Sequence, residues 1–551
     1  MKNKSLICLK YIVVNQLFFR FLALVFIIAT FSFCAKTGNP EGGPKDEDAP
    51  VFVTAKPPYE TTNFKKNEVQ LYFDEFIKLK DLNKQLIVSP PLQTPLSVTP
   101  QNTATKKLKL EILDTLRPNT TYIFNFGNAV TDNAEGNVLQ AFKYVFSTGN
   151  YIDSLTYSGS VKDAFLEEKP TNISLLLYAL DSTYKDSIVY KTKPNYVANT
   201  LDTTVFKFTN LKDGNYKLIA LKESVNDYIF DPQTEKIGFL NDTISLPRDS
   251  ILENPIVFFK EKQPYRFRRG KEIYKGKIQF GFEGEDENFN VKLTSKVPKD
   301  FKSIAKFEKD KDTLNYWFTP FETDSLNFIV SNATFLDTIT VKLRKEKLDS
   351  LVVNGSTRGT LHLRDTFFLE TNNPLVAIDT SKFSIVDKDT LNVSFKTYLD
   401  NKQNRLGVLF KSKPNQKYKL KILPEAITDI YNIKNDTLAY NLNTKDIENY
   451  GRITLDVVNN TKTNLILELL DDADISNIIA SRIITASETF VFDLLEPKKY
   501  RIRAIIDENK NNVWDTGNYL NKIQPEKIIY FNTLLELRAN YFLNEIFTVG
   551  D

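Results

Sequence analysis

One histidine stands in 551 residues, together with two cysteines, one methionine and two tryptophans. Each scarcity removes a class of chemistry. A lone histidine, His362, cannot build a multi-histidine metal centre, and most Ser-His-Asp catalysis has no candidate base elsewhere. It sits in Leu361–His362–Leu363, an alternating context that predicts a strand residue rather than a catalytic one. Both cysteines, Cys8 and Cys34, fall within the first 34 residues, so the rest of the chain has neither a disulfide framework nor a thiolate metal site. Charge of one sign is lacking too: 72 basic residues face 69 acidic ones, net +3, and no global field favours nucleic acid. There is no phosphate-binding loop, no nucleophile elbow and no pair of carboxylates in a helical frame. The carboxylates are scattered among turns, as on solvated faces. No enzyme is expected from this inventory.

What the chain has in quantity is aromatic residue, 41 Phe and 25 Tyr, which suit pleated, half-buried surfaces. From Pro50 onward, short alternating apolar runs are punctuated by Asn, Asp, Gly and Pro, and long segments of helical period are nearly absent. The pattern predicts an all-β fold, a row of about five β-sandwiches after an N-terminal signal and a flexible tether. The expected boundaries are 1–33 for the signal, 34–49 for the tether, and 50–149, 150–260, 261–346, 347–446 and 447–551 for the sandwiches.

The N-terminus reads as an export signal. Lys2, Lys4, Lys10 and Arg20 form a positive leader. The apolar run from Phe21 to Phe33 is shorter than the about 20 residues that span a bilayer. Cys34 ends the run, and Gly and Pro in the polar stretch behind it make a flexible spacer of roughly 15 residues. This order resembles a bacterial lipoprotein. The resemblance implies acyl chains on Cys34 and a membrane partner held through that lipid, each buried methylene adding about 0.8 kcal/mol. Two positions depart from the lipoprotein motif: Phe33 and Phe31 stand where a small residue and a leucine are usual, whereas Ser32 fits. The alternative is an uncleaved signal anchor over 11–33, with Arg20 inside it. Gly42–Gly43–Pro44–Lys45–Asp46, followed by Pro50, is similar to the leader of Bacteroidota envelope lipoproteins, which implies the outer membrane. Asp46–Glu47–Asp48 is similar to a surface-export signal of that group but lies further from the cysteine, so the periplasmic and surface faces both stay open.

The first module carries four landmarks in order. They are Phe73–Asp74–Glu75, Leu116–Arg117–Pro118–Asn119–Thr120–Thr121–Tyr122, Asp132 to Gly136–Asn137, and Phe146–Ser147–Thr148. Together they resemble the SbsA-type bacterial Ig-like domain, which implies an interaction or spacer module. In physical terms, Pro118 sets the start of a strand, Tyr122 can bury its ring and bond its hydroxyl at the corner, and Gly136 supplies a positive-φ turn. The second module opens on Ser158–Gly159–Ser160 and continues through Phe206–Lys207–Phe208, Asn210–Leu211, Gly214 and Tyr216 to an apolar strand. That order resembles the transthyretin-like or carboxypeptidase-regulatory-like sandwich. Ile278, Phe280 and Phe282 alternate with Lys277, Gln279 and Gly281 in a third sandwich of no recognisable family. Then the plan repeats. Lys413–Pro414–Asn415–Gln416–Lys417–Tyr418 parallels 117–122, and Phe490–Val491–Phe492, Leu494 and Tyr500 parallel 206–216. Pro525–Glu526–Lys527–Ile528 matches Thr234–Glu235–Lys236–Ile237. Repeats at this scale read as successive domains.

The sharpest polar cluster is Asp507–Glu508–Asn509–Lys510–Asn511–Asn512–Val513–Trp514–Asp515. Oxygens of Asp507, Asn509, Asn511 and Asp515 could wrap calcium, although Asn518 stands where a closing carboxylate is required. The competing reading is an Asx-rich turn with Trp514 packed beneath it. A second feature is dispersed. Asp followed by Ser or Thr and then Leu, Ile or Thr occurs at 13 places, from Thr115 to Thr437, where average composition gives roughly two. It resembles a Bacteroidota O-glycosylation acceptor, which implies attached glycan, and it equally marks turns before strands. The expected function is a non-enzymatic, lipid-anchored envelope protein that acts as a scaffold or accessory subunit through contacts with an envelope protein. The alternative is a carbohydrate-binding or adhesion lipoprotein, which would need exposed aromatic platforms; Trp317 and Trp514 are the only tryptophans.

Overall fold

Period-two alternation becomes strand throughout. In Glu68–Leu79, Val69, Leu71 and Phe73 point into a core while Glu68, Gln70 and Tyr72 face outward. In Lys277–Glu283, Ile278, Phe280 and Phe282 are buried and their neighbours half-buried. The computed structural model describes residues 46–284, 289–309, 311–333, 335–344 and 347–550, of which the fold is nearly all β, 48% strand against 3% helix. The expectations placed on 1–45, Cys34 among them, lie outside the described residues.

Five of the hydrophobic cores follow one another along the chain, four of them between facing sheets and the second inside a single curled one. In the first region, a five-stranded sheet centred on Glu68–Leu79 and Thr105–Glu111 faces a three-stranded one of Ile87–Ser89, Thr121–Gly127 and Phe142–Ser147. The region after it forms one eight-stranded sheet wrapped around its core. The third pairs a four-stranded sheet, with Lys277–Glu283 inside it, against a three-stranded sheet around Ser325–Ser331. The fourth packs Phe367–Thr371 and Arg405–Phe410 against Phe383–Val386, Lys417–Ile422 and Leu438–Asn443. In the fifth, Gly451–Asn459 lies between Glu488–Leu495 and Phe542–Val549, and faces a sheet of Ile478–Ile484, Asn464–Asp471, Lys499–Asp507 and Ile528–Tyr530.

The sequence repeat is a structural repeat down to single hydrogen bonds. At the first corner, Arg117 N–H donates to the Tyr122 hydroxyl at 2.8 Å; in the fourth region Lys413 N–H donates to Tyr418 at 2.7 Å. Thr148 and Thr444 close the two corners alike, their hydroxyls donating to Arg117 O and Lys413 O at 2.7 and 2.6 Å. Asp132 takes four backbone N–H groups of the turn that ends at Gly136, whose φ is +82°, and Asp429 takes those of Tyr431 and Ile433. The second and fifth regions share a different corner: the Tyr216 hydroxyl donates to Lys212 O and that of Tyr500 to Glu496 O, at 2.9 and 2.7 Å. They also share a parallel strand pair, Leu155–Asp163 with Ile256–Phe259 and Gly451–Asn459 with Phe542–Val549.

The row closes on itself. Tyr274 and Tyr431 hydroxyls join the third and fourth regions through Asn373 Oδ1 and Gly276 O, at 2.9 and 2.8 Å. Lys445 pairs with Glu496 between the fourth and fifth at 2.6 Å. The fifth region then returns to the second, 256 residues earlier: the Thr516 hydroxyl donates to Lys260 O at 2.6 Å.

Candidate functional site

The loop after strand Lys499–Asp507 is where the sequence placed a cation, and the structure brings all four side chains into one turn. Asp507 is fully buried, and its carboxylate accepts Asn511 N–H at 3.1 Å and Asn512 N–H at 3.0 Å. Asn509 Oδ1 accepts Asn511 N–H at 3.0 Å, and Asn511 Oδ1 accepts Val513 N–H at 2.8 Å. The Nδ2 groups of Asn509 and Asn511 both donate to Asp515 Oδ2, each at 2.6 Å. Burial alone would raise the Asp515 pKa. The two amides and the Lys262 ammonium at 3.3 Å outweigh it and hold the carboxyl below its ordinary range. The loop's side-chain oxygens are thus turned to N–H groups, as in Asx turns. A hard cation would require Asn509 and Asn511 to release those bonds and present oxygen. Among the described residues no group of three or more His, Cys, Asp or Glu is arranged to hold a metal. Asn518 lies elsewhere, paired through its backbone with Ile523 across a tight hairpin.

A carboxylate that the sequence reading passed over organises this loop. Glu526 accepts Glu508 N–H at 2.9 Å and Asp515 N–H at 3.0 Å, tying the loop's two ends together, and burial raises its pKa. The second region has the same clamp. Glu235 accepts Ser224 N–H at 2.9 Å and Asp231 N–H at 3.0 Å. Glu223 takes the N–H five residues on, Tyr228 at 2.9 Å, as Asp507 takes Asn512. Burial lifts the Glu223 pKa to about 7. The signal was present in Glu235–Lys236–Ile237 and Glu526–Lys527–Ile528, matched as a repeat but not as a clamp.

The clamp projects the hairpin 516–524 onto the second region. Tyr519 is buried there, its ring 5.4 Å from that of Phe239, and its N–H donates to Glu261 Oε1 at 2.6 Å. Gln524 donates to Phe239 O at 3.0 Å. Gly517 passes so near Phe259 that a Cβ would stand 2.5 Å from its ring, which explains glycine at this position. In return, Phe165 of the second region packs on Trp514, 4.9 Å between rings, under the Arg503 guanidinium, and its carbonyl accepts the Tyr530 hydroxyl at 2.7 Å. Glu167 pairs with Arg501.

The scarce residues are placed just as structurally. His362 lies in a turn, not a strand, because the preceding bridge ends at Thr360. Its Nε2 is 2.8 Å from Leu494 O and its ring stands edge-on to Tyr450, so it pins the fourth region to the fifth. Trp317 is buried beneath Lys277, and Trp514 is half-buried against Phe165, so neither is a bare platform. Of the 13 Asp-Ser/Thr positions, 11 are exposed and only Thr313 and Ser325 are half-buried. Among the described residues no helix is long and apolar enough to cross a membrane.

Residues 46–148 match the family model of a bacterial Ig-like domain. No curated protein matches the chain in sequence. Among solved structures it is similar to the S-layer protein SbsC, domains 1–6, at 12% identity over 89% of this chain and 67% of that one, with a TM-score of 0.16. It is also similar to the major pilin subunit of Bacillus cereus, 7% identical over 72% and 100% of the two chains, TM-score 0.13. A third similarity is to titin domains A168–A170, 11% identical over 50% and 99%, TM-score 0.13. The first module is therefore a bacterial Ig-like domain, at the head of a chain built of β-sandwiches.

Proposed function

We propose that this chain is a non-enzymatic lipoprotein of the bacterial cell envelope. Acyl chains on Cys34 hold it to the outer membrane, and it serves as a scaffold or accessory subunit through protein–protein contacts. The observation that carries the reading is where the chemically capable groups are spent. His362, Glu235, Asp507 and Glu526 each bond backbone groups at corners, clamps or joints between sandwiches. The Ig-like head is in keeping with a spacer or contact module, and the open sheet edges suit strand addition by a partner. Buried Trp317 and half-buried Trp514 weigh against the adhesion alternative. The exposed Asp-Ser/Thr turns are read as glycan acceptors, and an intact mass equal to the bare lipidated chain would remove that part.

The test is made in cells. Cys34→Ser should release the protein from membranes and abolish incorporation of labelled fatty acid. Retention of the variant in membranes would show an uncleaved anchor instead. Purification of the native protein from membranes should bring a stoichiometric outer-membrane protein with it; retention on immobilised glycan without such a partner would favour adhesion.

A further inference from the structure

The third region gathers positive charge in a chain that is otherwise balanced. From Lys260 to Phe282, 23 residues hold eight cations and two acids, where 72 and 69 in 551 give about three of each. Both acids, Glu261 and Glu272, are buried and accept backbone N–H groups, those of Tyr519 and Arg344. The cations stay outside. Strand Arg266–Tyr274 pairs with Lys277–Glu283, setting Arg266 opposite Glu283, Arg269 opposite Gly281, Lys271 opposite Gln279 and Tyr274 opposite Lys277. Opposed residues share a face of the sheet. Ile278, Phe280 and Phe282 fill the core on the other face, so Arg266, Arg269, Lys271 and Lys277 lie together on the outer one. Gly281 leaves bare backbone among them: an added Cβ would meet only the Arg268 Cβ, at 3.8 Å. In sequence, Glu285–Asp286–Glu287 follow the residue opposite Arg266, which sets the site on Arg269, Lys271 and Lys277.

Beyond Lys277 the row runs into a cleft of about 340 Å³ between the third and fourth regions, lined also by Lys402, Arg405, Asn315 and Trp317. Lys277 Nζ lies 5.0 Å from the centre of the Trp317 ring, and among the described residues no acceptor meets it. Two acids of the outer face are already engaged, Glu283 by Arg268 and Glu308 by Lys311; exposed Glu370 in the cleft opposes an anion. Cations on an edge strand protect it from pairing. That accounts for Arg269 and Lys271 but not for Lys277, which stands on an inner strand, nor for the cleft. A face built mainly of cations and amides suits a hydrated polymer better than a folded protein, because protein interfaces are depleted of charge at their centres. A flat bilayer could not follow the row into the cleft, whereas a single chain could, and the planar fork of arginine takes a carboxylate in two bonds.

We infer that this face binds a linear anionic polysaccharide, which lies along Arg269, Lys271 and Lys277 and passes into the cleft. The inference goes beyond the scaffold reading and needs no lipid on Cys34. An outer-membrane protein that still copurifies with a variant unable to bind polysaccharide leaves that reading intact.

Titration of the full chain in detergent tests it, with polygalacturonate as the carboxylate probe and dextran sulfate as the sulfate probe. At least one should bind, more weakly as salt is raised, and the tighter of the two names the oxyanion. The double variant Arg269→Ala, Lys271→Ala should lose about tenfold in affinity. Lys65→Ala, Lys66→Ala, which removes the same charge from an exposed loop of the Ig-like domain, should bind as the parent does. No binding of either probe overturns the inference, as does an equal loss in the two double variants or equal binding of neutral dextran. Polyglutamate, or micelles doped with phosphatidylglycerol, bound as tightly as the polysaccharides would overturn it too and assign the face to a protein or a membrane. If the Arg269→Ala, Lys271→Ala variant fails to fold, Lys277→Met, which keeps the side-chain body over Trp317, decides alone.

Discussion

The loops 223–235 and 507–526 leave equivalent strands, are tied by equivalent glutamates, and end differently. Both begin with an acid, half-buried Glu223 and buried Asp507, that takes the N–H five residues on, and both are closed by a glutamate that takes two N–H groups. In the second region the loop is short and stays beside the Ig-like domain, with Asn226 donating to Asn83 O at 3.3 Å. In the fifth, the added hairpin 516–524 crosses to the second region and buries Tyr519 in its outer face. One clamp thus serves two neighbours, and the length beyond it decides which. Docking between distant regions needs no new fold, only an insertion carrying an aromatic residue and a glycine where the approach is closest.

That comparison can be broken most severely at the aromatic. Tyr519→Ala should cost about 3 kcal/mol, the range of a buried aromatic truncation, and release the fifth region from the second. Denaturant unfolding measures the loss, and scattering should show a larger radius. Equal stability would mean that the hairpin contact is incidental. The clamps come next. Glu526→Gln and Glu235→Gln each replace a carboxylate holding two N–H groups by a neutral amide, and each should cost about 2 kcal/mol. A large loss at only one would show that the loops are not equivalent.

The buried acids sharpen the comparison through pH. The Glu223 pKa is raised to about 7 in the folded chain, so the native state binds more protons than the unfolded state between the ordinary glutamate value and 7. The stability contributed is present at low pH and lost as pH rises through that window, by at most ~3 kcal/mol. Glu223→Gln should flatten the slope in a pH series of melting curves. The smallest effect concerns calcium. With the loop oxygens already taken by N–H groups, the melting temperature should be the same in excess calcium and in chelator. A rise of several degrees in calcium would show that Asn509 and Asn511 do turn their oxygens inward.

Legibility in the sequence followed the range of the interactions. Tyr122 and Tyr418 were readable as corner residues because the bonded partners are five residues away. The Asx turns at Asp507–Asn511 were readable for the same reason. Tyr519 gave no signal, because its neighbours Phe239 and Glu261 lie more than 250 residues earlier and nothing near it in the chain marks it as buried. His362 was misplaced into a strand because alternation at Leu361 and Leu363 is equally produced by a turn beside a core. Trp514 was readable only as packed beneath its own turn, and the fold brought Phe165 to it from the second region.

The amino-acid sequence by itself determined the all-β character and the corner at Tyr122 that recurs at Tyr418, since strand alternation and turn bonding are settled within a few residues. Only the tertiary structure decided that the fifth region returns to the second, and that, among the described residues, its own outer strand Ile478–Ile484 ends the sheet. Those outcomes depend on which surfaces meet across hundreds of residues, and burial against a distant partner leaves no local pattern to read.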